Sequence, residues 1–147
     1  MTDVRVATDE SAREDAFAVR RTVFVDEQGV DEALEYDEHD EPDADAVHFV
    51  AYDDGEPIGA ARLRFPNAGV GKVERVAVLA SRRGEDVGRD LMDAVHAEAR
   101  DRDLDILKLH SQTRAAGFYE RLGYERRGEE FEEAGIPHVE MRRPVGS

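Results

Sequence analysis

The chain contains no cysteine, which excludes disulfides, thiolate nucleophiles and cysteine metal sites. Lysine is almost as scarce: of 20 basic residues only Lys72 and Lys108 are lysine. No apolar run reaches the roughly 18 residues that a membrane span needs, so no membrane partner is expected. The N-terminal stretch is polar and acidic rather than apolar, and the chain therefore reads as a soluble cytoplasmic protein. Basic surface is missing too, since 35 acidic residues against 20 basic ones leave a formal net charge of −15. Nucleic acid is not an expected partner, because no basic face is available to neutralise phosphates. A charge this far from zero costs self-repulsion but maintains solubility, a lever that halophiles use. High acid content with little lysine points to a salt-loaded cytoplasm such as that of a halophilic archaeon. Attraction of a basic partner is the competing explanation.

The 147 residues fit one domain, 1–147, large enough to bury a sizeable core and too small for two. Along it, Thr2–Ala7 alternates as a strand does. Ser11 and Glu14 form a capping box for a helix whose apolar positions Ala16, Phe17, Val19, Val23 and Phe24 run to about Val25. Glu27-Gln28-Gly29-Val30 breaks that pattern, and Asp31–Tyr36 is a short second helix. Asp37–Asp45 reads as a solvated, charged loop. It is no calcium loop, because it lacks the central glycine and the ligand spacing.

Ala46–Tyr52 and Pro57–Phe65 are strands joined by the turn Asp53-Asp54-Gly55-Glu56. Lys72–Leu79 is a third strand, Asp86–Asp101 an amphipathic helix, Leu104–His110 a strand, and Arg114–Leu122 a helix ending at Gly123. Tyr124–Glu130 and Ile136–Arg142 pair as a closing hairpin. The order β-α-α-β-β-β-α-β-α-β-β predicts an α/β (α+β) class: a mixed, mostly antiparallel central sheet with helices on both faces.

Two stretches are more specific. "VERVAVLASRRGEDVGRDLM" and "FYERLGY", in this element order, resemble the GNAT superfamily of acetyl-CoA-dependent N-acyltransferases. "VRRTVFVDEQGV", "AVHFVA" and "GIPHVEM" resemble its ElaA-like branch. The resemblance implies a GNAT fold, acetyl-CoA as acyl-donor cosubstrate with no metal, and a small-molecule or peptide amine as second substrate. It is also compatible with a homodimer. Backbone groups of Val76, Ala77 and Val78 would pair with the pantetheine arm, as in strand addition. Arg83, Gly84, Glu85, Asp86, Val87, Gly88 and Arg89 would form the pyrophosphate loop at a helix start, where free amides and the macrodipole favour an anion. Asp86 stands where that pattern has its first glycine; its carboxylate would point outward or cap the helix from the side. Gln112 and Phe118 would border the cofactor, although Phe118 is better explained as core.

Tyr119 would be the general acid that protonates the departing thiolate; the alternative is a half-buried packing tyrosine. Glu74 is the candidate base, expected on the face of Val76 and Val78, or else part of an ion pair with Arg75. Arg20, Glu27 and Gln28 would border the acceptor pocket, with surface ion pairing an equal explanation for the arginine. His48, His110 and His138 lie on strands, where a neutral imidazole could relay protons or sit hydrogen-bonded in the core. His48 and His138 fall within the ElaA-like matches and are counted with the acceptor site. Their spacing matches no metal motif. The activity implied is direct N-acetyl transfer to a primary amine of an unidentified acceptor. The alternative is a non-catalytic acyl-CoA-binding or sensing domain, motivated by Asp86.

Overall fold

A computed structural model describes residues 2–146. Seven strands form one sheet in the order β1-β2-β3-β4-β5-β7-β6. They are β1 (Thr2–Val6), β2 (Ala46–Asp53), β3 (Glu56–Asn67), β4 (Val70–Val78), β5 (Ile106–Gln112), β6 (Glu125–Glu133) and β7 (Ile136–Pro144). Neighbours are antiparallel except β4 and β5, which run parallel. Helices α1 (Glu10–Arg20), α2 (Glu32–Glu35), α3 (Val87–Asp101) and α4 (Ala116–Arg121) complete the fold.

Each sheet face carries its own apolar cluster. Ala16, Val19 and Val23 pack on Val50, Ala60 and Ala77 on one face. Val87, Leu91, Val95 and Ala99 of α3 pack on Phe49, Ala51, Ala61, Leu63 and Val73 on the other. Gly59 permits the close approach of α3 to β3, since a Cβ there would lie 2.9 Å from Leu91 Cδ1.

Three local expectations need correction. Asp9, not Ser11, caps α1: its carboxylate accepts the Ala12 N–H at 2.7 Å, one position before the first helical residue. Past Arg20 the helix widens into a π-helical segment, Arg21–Glu27, closed by Gln28 N–H to Val23 C=O. The Asp37–Asp45 loop is not simply solvated, because Asp40 is 1% exposed and binds two arginines.

Candidate active site

Bulge and split of β4 together create the site. Arg62 pairs with Glu74 but Ala60 pairs with Ala77, so β4 carries one extra residue, and Arg75 adopts φ +57. Because strand side chains alternate, that extra residue reverses the faces. Val76 and Val78 turn to the α3 cluster, whereas Glu74 joins Arg62 on the α1 face. The expectation that Glu74 shares a face with Val76 and Val78 is therefore wrong.

Beyond Val73 the sheet opens. The parallel ladder joins Val70–Val73 to Ile106–Leu109, after which β4 runs to Val78 and β5 to Gln112 without pairing. The resulting cleft encloses about 960 Å³. Its walls are the π-helical segment and α2, the β4 edge with the loop after it, the end of β5 with α4, and the β6–β7 turn. Seven of the 20 basic residues line it, against five of the 35 acidic ones. A strongly acidic molecule thus has a locally cationic cleft, which favours entry of an anion.

The loop expected to hold pyrophosphate lies on this cleft through Arg83, Gly84, Asp86, Val87, Gly88 and Arg89; Glu85 does not line it and instead pairs with Arg82 at 3.1 Å. Asp86 occupies the N-cap of α3 with φ +65, the left-handed region that glycine adopts freely, and makes no capping hydrogen bond. Capping by its side chain is thus corrected: among the described residues the first-turn amides of α3 keep no side-chain acceptor. Gly88 faces Phe118, and a Cβ there would come within 3.3 Å of the ring, so Phe118 serves the loop as packing. Arg83 is already engaged. It grips Glu27 with two bonds of 2.6 and 2.7 Å and donates Nε–H to the Val78 carbonyl at 3.1 Å. Among the described residues Arg89 makes no ion pair, which leaves its guanidinium available.

Gln112 donates to Gln28 across the cleft at 2.8 Å. Tyr119 lines the cleft on α4, its ring held edge-on between Phe118 and Tyr124. Burial pushes its phenol above the ordinary range, and among the described residues nothing hydrogen-bonds its hydroxyl. The phenol stays protonated at every physiological pH.

Two residues expected at the acceptor pocket lie elsewhere. Arg20 is fully buried, with Nε 2.6 Å from Glu35 and two bonds of 2.7 and 2.8 Å to Asp40. His48 sits edge-on against Phe17, and burial pushes its pKa down to about 4. Neither lines the cleft, whereas Glu27, Gln28 and His138 do. Glu74 touches the cleft, but Arg62 (2.6 Å), Arg64 (2.6 Å) and Lys72 (3.1 Å) bind its carboxylate. Burial would raise its pKa; the three cations outweigh burial and hold it far below the usual range. A carboxylate held so is a poor proton acceptor. The ion-pair alternative describes its geometry, with Arg62 and Arg64 rather than Arg75 as partners.

Sequence reading missed Glu133 and left His110 unplaced. Both line the cleft 3.1 Å apart, joined across strands that only the sheet register brings together. The alternation Lys108, His110, Gln112 on β5 was the available signal for His110; Glu133 carried none.

A family profile described as acetyltransferase (GNAT) domain matches residues 6–144. The Bacillus subtilis protein named uncharacterized N-acetyltransferase YjcF is 41% identical over 139 residues, covering 94% of this chain and 96% of that protein. The crystal structure of Escherichia coli ElaA superposes with TM-score 0.86 at 25% identity, covering 97% of this chain and 99% of that one. An aminoglycoside 6'-N-acetyltransferase solved with coenzyme A shares the fold, with TM-score 0.76 at 14% identity over 100% of this chain and 98% of that one. Profile, relatives and the split sheet agree, and the chain belongs to the GNAT acetyltransferase family.

Proposed function

We propose that this protein is a cytoplasmic acetyl-CoA-dependent N-acetyltransferase of the ElaA-like branch, acting by direct transfer to a primary amine. The observation that carries the reading is the split between β4 and β5 beside an uncapped helix start. The residues present fit an acyl-coenzyme A. Past the β4–β5 ladder the β5-facing side of Val76–Val78 has no strand partner, only Arg83 Nε–H on the Val78 carbonyl, and offers an edge for an extended amide-bearing arm. The Gly84–Gly88 amides and Arg89 offer donors for a diphosphate. When bound, acetyl-CoA supplies the activated acyl group.

Backbone N–H groups of β4 would stabilise the oxyanion. Tyr119 would serve the departing sulfur. Because burial raises its pKa, the phenol acts there as a hydrogen-bond donor whose bond strengthens as charge develops. With no cysteine to form an acyl-enzyme, nucleophile and thioester must meet directly in the cleft. The acidic surface is read as adaptation to molar salt.

Thermal melting in molar KCl tests binding: a hundredfold excess of acetyl-CoA over Kd should stabilise by about 2.7 kcal/mol, several degrees for a chain of this length. No shift at saturation would sink both this reading and the sensing alternative. Release of free thiol with a panel of primary amines separates the two, because only a transferase turns over. Tyr119→Phe should keep the acetyl-CoA melting shift and lose roughly 100-fold in kcat; undiminished turnover would remove Tyr119 from its role.

A further inference from the structure

We propose that His110 accepts the proton of the acceptor amine and that Glu133 positions it. This rests on the transfer reading above, which leaves the proton acceptor open because Glu74 is committed to three cations. His110 is the first β5 residue past Leu109, the last to pair with β4, and so sits at the closed end of the split. Its side chain is 24% exposed and lines the cleft.

The tautomer follows from its partner. The hydrogen bond to His110 holds the Glu133 carboxyl below its usual range, outweighing a burial effect that would raise it, with nearby Lys72 acting in the same direction as the bond. An ionised carboxylate can only accept, so the Nδ1 atom 3.1 Å away carries the hydrogen. Nε2 is therefore the bare nitrogen, and the next charged group, Glu140, stands 3.9 Å from it, beyond hydrogen-bonding reach. Carboxylate, imidazole and open Nε2 reproduce the arrangement in which an acid orients a base and stabilises the cation it becomes.

His138 does not compete for the role. Its Nδ1 lies 2.6 Å from the Ile136 carbonyl, and its Nε2 is directed at Glu133, 3.7 Å away. Phe131 locks both rings, edge-on to His110 with centroids 5.0 Å apart and stacked on His138. The two-residue turn Ala134-Gly135, with φ +52 and +77, returns the chain so that Glu133 faces β5. Charged and titratable groups around His110 and its partner Glu133 are Glu133 from β6, Glu140 and His138 from β7, Lys108 on its own strand, and Lys72 from β4.

The step balances. The acceptor ammonium gives one proton to Nε2, and the free amine attacks the thioester carbon. A C–N bond forms and the C–S bond breaks. The second amine proton ends on the sulfur, and the imidazolium returns its proton to solvent, leaving an amide and a free thiol.

The test measures thiol release against pH with a primary-amine panel, alongside imidazole nitrogen NMR of the ligand-free protein. His110→Gln should lower kcat at least 100-fold and abolish the imidazole limb of the pH profile, while the acetyl-CoA melting shift stays as in wild type. Glu133→Gln should move that limb to lower pH, because the carboxylate stabilises the imidazolium, and should also lower turnover above it, because an amide can donate to Nδ1 and favour the unproductive Nε2–H tautomer. A merely structural Glu133 would leave the limb in place. NMR should find His110 protonated at Nδ1 and bare at Nε2. An Nε2–H tautomer overturns the proposal even if no amine is turned over, as does a His110→Gln enzyme with the wild-type rate and pH profile. Absence of turnover in wild type with the expected tautomer fails the transfer reading instead.

Discussion

β4 divides two charged regions that resemble each other in composition and differ in what is left unpaired. On the α1 face Arg20, Arg62, Arg64 and Lys72 meet Glu35, Asp37, Asp40 and Glu74 in a continuous network, buried at Arg20, Arg62, Glu35 and Asp40 and partly buried at its margin. Arg75 ties the backbone of α2 to the bulge, donating to the Glu35 carbonyl at 3.0 Å. In the cleft the helix start is uncapped and, among the described residues, Arg89 has no carboxylate partner. Full pairing makes a frame; donors left unpaired are what the proposed anion site would use. The network anchors the wall that carries Glu27 and Gln28 to the strand whose free edge the site needs.

The sharpest way to break this contrast is Arg62→Met. It would take the closest cation from Asp37 and one of the cations that Asp40 and Glu74 share with Arg20, Arg64 and Lys72, and should cost about 3 kcal/mol, read as a lower urea midpoint. Because the pairs are buried, molar KCl should recover little of it.

Acid should expose a second difference. His48 and His96 are buried neutral, burial pushing both pKa values down to about 4. Their unfolded value is about 6.5, so the folded state binds fewer protons between these limits. Their stabilisation is complete above about pH 6.5 and is lost as pH falls towards 4, worth ~2–3 kcal/mol for each. Melts across that window should fall steadily, and His96→Gln should flatten part of the slope. Below it Asp40 follows: burial raises its pKa, but Arg20 and Arg62 outweigh burial and hold it at about 2, so its contribution is lost only as pH drops through that value.

Arg89→Ala should spare the fold, changing stability by less than about 0.5 kcal/mol. It should nevertheless weaken coenzyme A binding roughly tenfold by calorimetry, as loss of one charge-assisted bond would. An unchanged affinity would remove Arg89 from the anion site.

Asp86→Gly is the smallest effect and runs the other way. Relief of the left-handed backbone should raise stability by about 1 kcal/mol, a shift of ~2–4 °C. Coenzyme A should bind more tightly to this variant in dilute buffer, with the gain fading in molar salt, where the Debye length is about 3 Å. Equal affinity at low salt would mean that the Asp86 carboxylate never opposed the phosphate.

Element order, the loop and the cleft-lining tyrosine were legible because each is written in short-range pattern: alternation, amphipathic spacing, a strand–loop–helix junction. Arg20 and His48 were misplaced because a buried arginine or histidine has the same letter as an exposed one. What separates them is a partner 15 or 20 residues away, as Glu35 and Asp40 are for Arg20. The face of Glu74 was misread because strand alternation holds only while the register does, and one extra residue at Arg75 reverses it.

By itself the sequence determined the family, the sheet-and-helix order and the strand–loop–helix junction before α3, since those depend on periodicity and on neighbours within a turn. Tertiary structure decided which charges are frame and which are site. It also opened β4 from β5 and joined His110 to Glu133 from different strands. Those outcomes depend on register and on the cost of burying an unpaired charge. Only the folded chain can assign that cost to particular residues.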